Sequence, residues 1–255
     1  MAKRTLAEMS GLLLLTSILV VLGLPSSAFA SGCCYFDGGD YSDAAARPQA
    51  VNATISYDYP YVSTNLGSAA WVGIQPPTSE NSPGLVQAGW AHPYGYSCTE
   101  GFYEFIDSSG SGPPVYTGCI SSGSSTTPEV YVSNPVWNSS NQLTGGTWYA
   151  YVNYVAVGST TVSSLGWTDA WQMDFVGEEN DGQTGDNQSP GAENAYHYNP
   201  VEFSSVQFLD GNGAIWETTP LNIIQQASWQ QYDFSSYSTS SLFYIWDDRP
   251  NSNYQ

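Results

Sequence analysis

Between clusters of Gly, Pro, Ser and Asn, short runs rich in Val, Tyr, Trp, Phe and Thr recur along the chain: 52-NATISYDY-59, 69-AAWVGI-74, 85-LVQAGW-90, 102-FYEFI-106, 129-EVYVS-133, 147-TWYAYVNYVAV-157, 170-AWQMDFV-176, 201-VEFSSVQFLD-210 and 242-LFYIW-246. Several alternate apolar and polar positions with a period of two, which fits strands that bury one face, and helical periodicity is almost absent. Short strands at short intervals with turn residues between them predict an all-β, two-sheet antiparallel sandwich. No internal repeat stands out. The stretch 177-GEENDGQTGDNQSPGAENAYHYN-199 is polar and without pattern, so it is expected as a long functional or disordered loop. Residues 31–50 and the 249–255 tail are expected to be loose, which leaves one domain over 51–248.

The first 30 residues have a different character. Lys3 and Arg4 precede the apolar run Leu12–Leu24, and Ala28-Phe29-Ala30 supplies a small-residue cleavage site. That order is the signature of a secretory signal peptide over 1–30. The run is short for a spanning helix, so a secreted protein without stable membrane insertion is expected. A second reading uses Ala30-Ser31-Gly32-Cys33, which loosely resembles a bacterial lipobox and would anchor the chain through a lipid on Cys33.

Charge narrows the partners. Removing Lys3, Arg4 and Glu8 from 4 basic and 23 acidic residues leaves Arg47 and Arg249 against 22 acids, a net charge of −20. Such a chain is not expected to bind nucleic acid. In strong acid its carboxylates become neutral and little positive self-repulsion remains to unfold it, so an acidic medium fits. Four cysteines in an exported chain favour disulfides, and Cys98 and Cys119 bracket a hairpin and are expected to pair. A monomer without metal or organic cofactor is expected.

The candidate chemistry follows by elimination. His92 and His197 are the two histidines, and neither sits in a metal-ligand spacing with Cys or another His. Both are expected at the surface or in loops. A Ser-His-Asp triad would need one of them, there is no Gly-x-Ser-x-Gly elbow, and in acid the imidazole would be protonated. Carboxylates remain. In 172-QMDFVGEEND-181 the strand period puts Gln172, Asp174, Val176 and Glu178 on one face. Partial desolvation on a groove face raises a carboxyl pKa and suits general acid–base work, whereas a strand end in solvent would carry ordinary acids. In 85-LVQAGW-90, Leu85, Gln87 and Gly89 share one face and Val86, Ala88 and Trp90 the other. A buried amide at Gln87 must find partners or cost about 1–3 kcal/mol. A water, a carboxylate or a neighbouring loop backbone would each satisfy it.

Taken together, 70-AWVGI-74, 85-LVQAGW-90 and 102-FYEFID-107 resemble the glutamic peptidases. Eqolisins carry an Ala-Trp-Val-Gly-Ile strand, then Leu-Gln-Thr-Gly, then Trp-Tyr-Glu-Trp, in this order and at similar spacing. The neprosin branch is similar at Ala88-Gly89-Trp90 and at Phe175-Val176-Gly177-Glu178, and 201-VEFSSVQFLDGNG-213 resembles the closing aromatic strand of both. The similarity spans about residues 50–212. It implies a concanavalin-like sandwich with a concave groove that holds an extended polypeptide substrate. Gln87 matches the catalytic glutamine, and Glu178 is the best match to the catalytic glutamate. Asp174 is the reserve and Glu179 a further alternative. Trp71, Glu104, Asp174 and Trp90 would then border the substrate.

Two other classes compete. Laminarinase-like glycosidases use Glu-x-Asp-x-x-Glu, whose last two positions Asp174 and Glu178 resemble with Glu178 one residue beyond its place, but Gln172 stands in the nucleophile's place. A non-catalytic carbohydrate-binding sandwich would use some of the 9 Trp and 19 Tyr as stacking platforms.

Overall fold

The computed structural model describes residues 35–56, 67–77, 83–93, 96–121, 125–179, 193–194, 197–198, 201–217, 222–226, 232–234 and 242–247. The expected signal peptide, Cys33 with its lipidation alternative, Cys34, most of the 177–199 loop and the 249–255 tail lie outside the described residues.

With strands numbered in chain order, the first sheet has seven, in the order β16 (Asn222–Gln226), β1 (Tyr35–Ser42), β11 (Gln172–Glu179), β3 (Gly67–Gln75), β4 (Leu85–Pro93), β5 (Glu100–Ile106) and β6 (Val115–Cys119). The second runs β10 (Val155–Thr161), β9 (Leu143–Val152), β8 (Pro128–Trp137), β2 (Ala50–Ser56), β14 (Val201–Leu209), β18 (Leu242–Asp247) and β17 (Tyr232–Phe234). The short strands β15 (Ile215–Glu217) and β7 (Ser125–Thr126) pair with β14 and β2. A separate ladder joins β12 (Glu193–Asn194) to β13 (His197–Tyr198). All the pairings are antiparallel, and the one helix among the described residues is a single turn, α1 (Val162–Leu165). This is the two-sheet sandwich that the alternation predicts.

The core lies between the sheets. Period two delivers Val51, Ala53 and Ile55 from β2, Val130 and Val132 from β8, and Val86, Ala88 and Trp90 from β4 into one buried cluster with Met173, Phe175 and Phe203. In β14 the alternation changes phase, with Val201 and Phe203 buried and then Val206 and Phe208. The register shift between Ser204 and Gln207, with Ser205 at φ 52°, is a bulge that returns Val206 to the core.

The structure adds short strands such as β6, β16 and β17 that the pattern does not predict, and it departs from expectation in two further ways. Tyr35–Ser42, expected to be loose, forms β1 between β11 and β16. Its sequence, YFDGGDYS, has no period-two signal, and backbone pairing to two neighbours seats it, helped by Tyr41 stacking on Phe208 with ring centroids 5.6 Å apart. The run 147–157, which reads as a single strand, is a hairpin of β9 and β10 that turns at Asn153 and Tyr154, both at positive φ. No glycine marks that turn, so the sequence conceals it. Cys98 and Cys119 form the expected disulfide, with Cα atoms 5.7 Å apart. Both histidines lie in strands rather than loops, His92 half-buried near the end of β4 and His197 in β13.

Candidate active site

The outer face of the seven-stranded sheet carries three parallel rows of side chains, set by register. The first row runs Asp174–Gly73–Gln87–Glu104 across β11, β3, β4 and β5. The second runs Val176–Trp71–Gly89–Phe102–Tyr116, and the third Glu178–Ala69–Ala91–Glu100. Because alternate residues face the same way, all three rows stand on the face turned away from the core. Asp174 and Gln87 are thus two strands apart, about 10 Å between Cα atoms, with no side chain on the Gly73 between them. Glu178 lies a further four residues along β11, about 13 Å up the strand from Asp174.

A neutral donor serves each of three buried carboxyls on this face. Gln87 Nε2 donates to Glu104 Oε2 over 2.5 Å, Gln172 Nε2 to Asp174 Oδ1 over 2.9 Å, and Trp71 Nε1 to Glu178 Oε2 over 2.8 Å. Gln87, Glu104, Asp174 and Glu178 are each 0% exposed. They share the face with an apolar cluster of Trp71, Leu85, Phe102, Ile106 and Val176, against which Tyr116 packs. Burial is expensive for a carboxylate. Arg47, the one Lys or Arg among the described residues, instead donates to Asn212 Oδ1, 3.3 Å away.

The acids respond to that environment. Burial pushes the Glu104 carboxyl up to about 8, although the hydrogen bond from Gln87 pulls the other way. Burial also raises the Tyr116 hydroxyl to about 12, aided by Tyr96 and by the charges of Glu104, Glu100 and Glu178. Tyr116 therefore stays protonated beside these acids.

Two glycines shape the slot that holds the Trp71 indole. A Cβ on Gly73 would come within 3.0 Å of Trp71 Cζ3 and of Leu85 Cδ1, and one on Gly89 within 2.7 Å of Trp71 Cβ. The six-membered ring thus lies toward the Gln87 row while the ring nitrogen reaches Glu178.

Of the residues expected at a site, the sheet brings Gln87, Glu104, Asp174, Trp71 and Glu178 to one face. Trp90 is the exception. It stands on the opposite face of β4, fully buried in the core between the sheets, with Nε1 donating to Ser56 O over 3.3 Å. Strand parity forbids it from bordering anything that Gln87 borders. Three contributors were not anticipated. Gly73 opens the row, and a glycine inside a strand was its only signal. Gln172 was placed on the face but not as the donor to Asp174. Tyr116 comes from the edge strand β6, whose mixed polarity hides it. His92 is elsewhere: its Nδ1 lies 3.1 Å from Thr99 Oγ1, and burial lowers its pKa. The one close group of three metal-ligating side chains among the described residues is Cys98, Glu100 and Cys119, and its two sulfurs form the disulfide.

No protein-family model and no curated protein matches the chain. Solved structures do. A crystal structure of scytalido-glutamic peptidase with a transition state analog inhibitor is similar at 17% identity over 83% of this chain and 97% of that one, with a TM-score of 0.56. Another, with a peptide based transition state analog, is similar at 16% identity over the same shares, with a TM-score of 0.51. At this identity the likeness establishes that the chain shares the fold of scytalido-glutamic peptidase.

Proposed function

We propose that this protein is a secreted endopeptidase, active in acid, that hydrolyses polypeptides with a side-chain amide and one carboxyl as its catalytic pair. One observation carries this: Gln87 and an acid of β11, Asp174, stand in one row of the sheet, separated by a glycine. The sandwich shared with a glutamic peptidase supports it.

A water between the two groups would accept from the Gln87 N–H or donate to its carbonyl, and donate to the carboxylate. The carboxylate takes a proton from that water, and the oxygen attacks the scissile carbonyl. Gln87 Nε2 has a second N–H beyond the one given to Glu104, and it donates to the developing oxyanion. As the C–N bond breaks, the carboxyl returns its proton to the leaving nitrogen. An amide suits acid because its donor and acceptor persist at any pH.

The register supports Asp174 as the acid, with Gln172 holding it in place. Glu178, the stronger match by sequence motif, is bonded to Trp71 and lies two rows away. Gln172, where a glycosidase of this topology would hold its nucleophile, donates a hydrogen bond to Asp174 and offers no carboxylate. The test is digestion of an acid-denatured protein at pH 2–4 by wild type and by Gln87→Ala. Cleavage by wild type that drops by two orders of magnitude or more in the variant supports the proposal, and equal cleavage by both removes it.

A further inference from the structure

The pair formed by Gln87 and Glu104 does more than satisfy a buried amide. The two residues are direct register partners on β4 and β5, both fully buried, and joined by one hydrogen bond of 2.5 Å from Nε2 to Oε2. Neither Gln87 Oε1 nor Glu104 Oε1 has a partner among the described residues. The bond is therefore one-sided. It fixes which edge of the amide faces β5 and leaves the carbonyl edge uncommitted.

We propose that Glu104 is a positioning residue, neither a substrate contact nor the catalytic acid, whose carboxyl anchors the N–H edge of Gln87 and so presents the amide in a single orientation. This rests on the peptidase proposal above. Without Glu104 the amide has two nearly isosteric orientations differing by a half-turn, and only one turns the donor toward an oxyanion.

The surroundings keep this anchor uncharged over the acid range. The groups around Glu104 on this face are Gln87 on β4, its bonded partner, and Tyr116 on β6, whose hydroxyl feels the charges of Glu104, Glu100 and Glu178. None is a cation, and burial holds the carboxyl near 8. At pH 2–4 Glu104 thus accepts through its carbonyl oxygen as a neutral acid. It adds no charge beside the carboxyl that must act as base.

The test compares Glu104→Gln, which keeps an acceptor of the same shape, with Glu104→Ala in the mature secreted chain. Expected for Glu104→Ala is a loss of about 100-fold in kcat with KM within twofold. Glu104→Gln should recover kcat to within tenfold of wild type. The Gln87 side-chain amide resonances should titrate near pH 8 in wild type and stay flat in Glu104→Gln, a readout that needs no turnover. A Glu104→Gln variant as inactive as Glu104→Ala would make Glu104 the catalytic acid, and a change confined to KM would make it a substrate contact. Either overturns the proposal, as does a Gln87 amide that does not sense the titration. Wild type that cleaves no peptide but shows the Glu104-dependent titration would remove the peptidase reading and leave the anchoring intact. If Glu104→Ala fails to fold, the Glu104→Gln kinetics and the resonances decide alone.

Discussion

Gln87 and Glu104 face each other across adjacent strands, an amide and an acid sealed from solvent and joined by a 2.5 Å hydrogen bond. From this pair, and from the glycine that separates Gln87 from Asp174, the account takes its shape. A face of a sandwich that would ordinarily be either polar and wet or apolar and dry here holds acids in an apolar setting, each carried by a neutral donor.

The first consequence concerns pH. Glu104 has a pKa of about 8 in the folded chain against an ordinary value of 4.5. Below about 4.5 both folded and unfolded states keep the proton, and the native state suffers nothing. Between about 4.5 and about 8 the unfolded chain releases the proton and the folded one retains it, so stability falls as pH rises, and it levels off above that window. Denaturant unfolding of wild type and Glu104→Gln from pH 3 to pH 9 should show a gap that widens in favour of the variant across this range.

Trp90 separates packing from chemistry. It sits in the inter-sheet core, so Trp90→Ala should cost about 3–5 kcal/mol in unfolding free energy. Trp90→Phe should cost less. The folded fraction of Trp90→Phe should hydrolyse substrate with wild-type KM, whereas a groove residue would raise it. Urea titration and steady-state kinetics on one preparation check both.

Gly73 should tolerate nothing larger. A Cβ there meets Trp71 Cζ3, Leu85 Cδ1 and Val86 O at 3.0 Å each, so Gly73→Val must displace the indole or the strand. Overpacking of this kind costs about 1–3 kcal/mol. Because Gly73 itself stands between Gln87 and Asp174, kcat should fall by more than the stability loss explains. Activity of the folded protein at 25 °C, with unfolding measured in parallel, tests this.

The disulfide is structural. It closes a segment of sequence separation 21 at the β5–β6 edge of the sheet, and Cys98→Ser with Cys119→Ser should lose about 3 kcal/mol. The Gln87 side-chain resonances should keep their wild-type shifts in that variant, since β6 lies two strands from β4.

Much of this was legible beforehand because period two is a strong signal wherever one face is buried. β2, β8 and β14 display it directly. In β4, apolar residues fill both faces, which is why Gln87 stood out as an anomaly among them. Register was not legible. Pairing distances depend on which residue stands opposite which, and a motif match made Glu178 the leading acid although β11 carries Asp174 into the Gln87 row. Nor was β1, whose Gly38-Gly39 step leaves no side-chain pattern to read. Trp90 misleads for a simpler reason: an aromatic beside a motif invites a role that the parity of its own strand denies it.

The central claim is that Gln87 works with the acid in its own row. Asp174→Asn and Glu178→Gln should therefore be compared for cleavage of an acid-denatured protein at pH 2–4, with folding verified for each. The account predicts that Asp174→Asn loses at least 1,000-fold in kcat, about 4 kcal/mol of transition-state stabilisation, while Glu178→Gln, whose acid accepts from the Trp71 indole, retains measurable turnover. Near-wild-type hydrolysis by Asp174→Asn would contradict it.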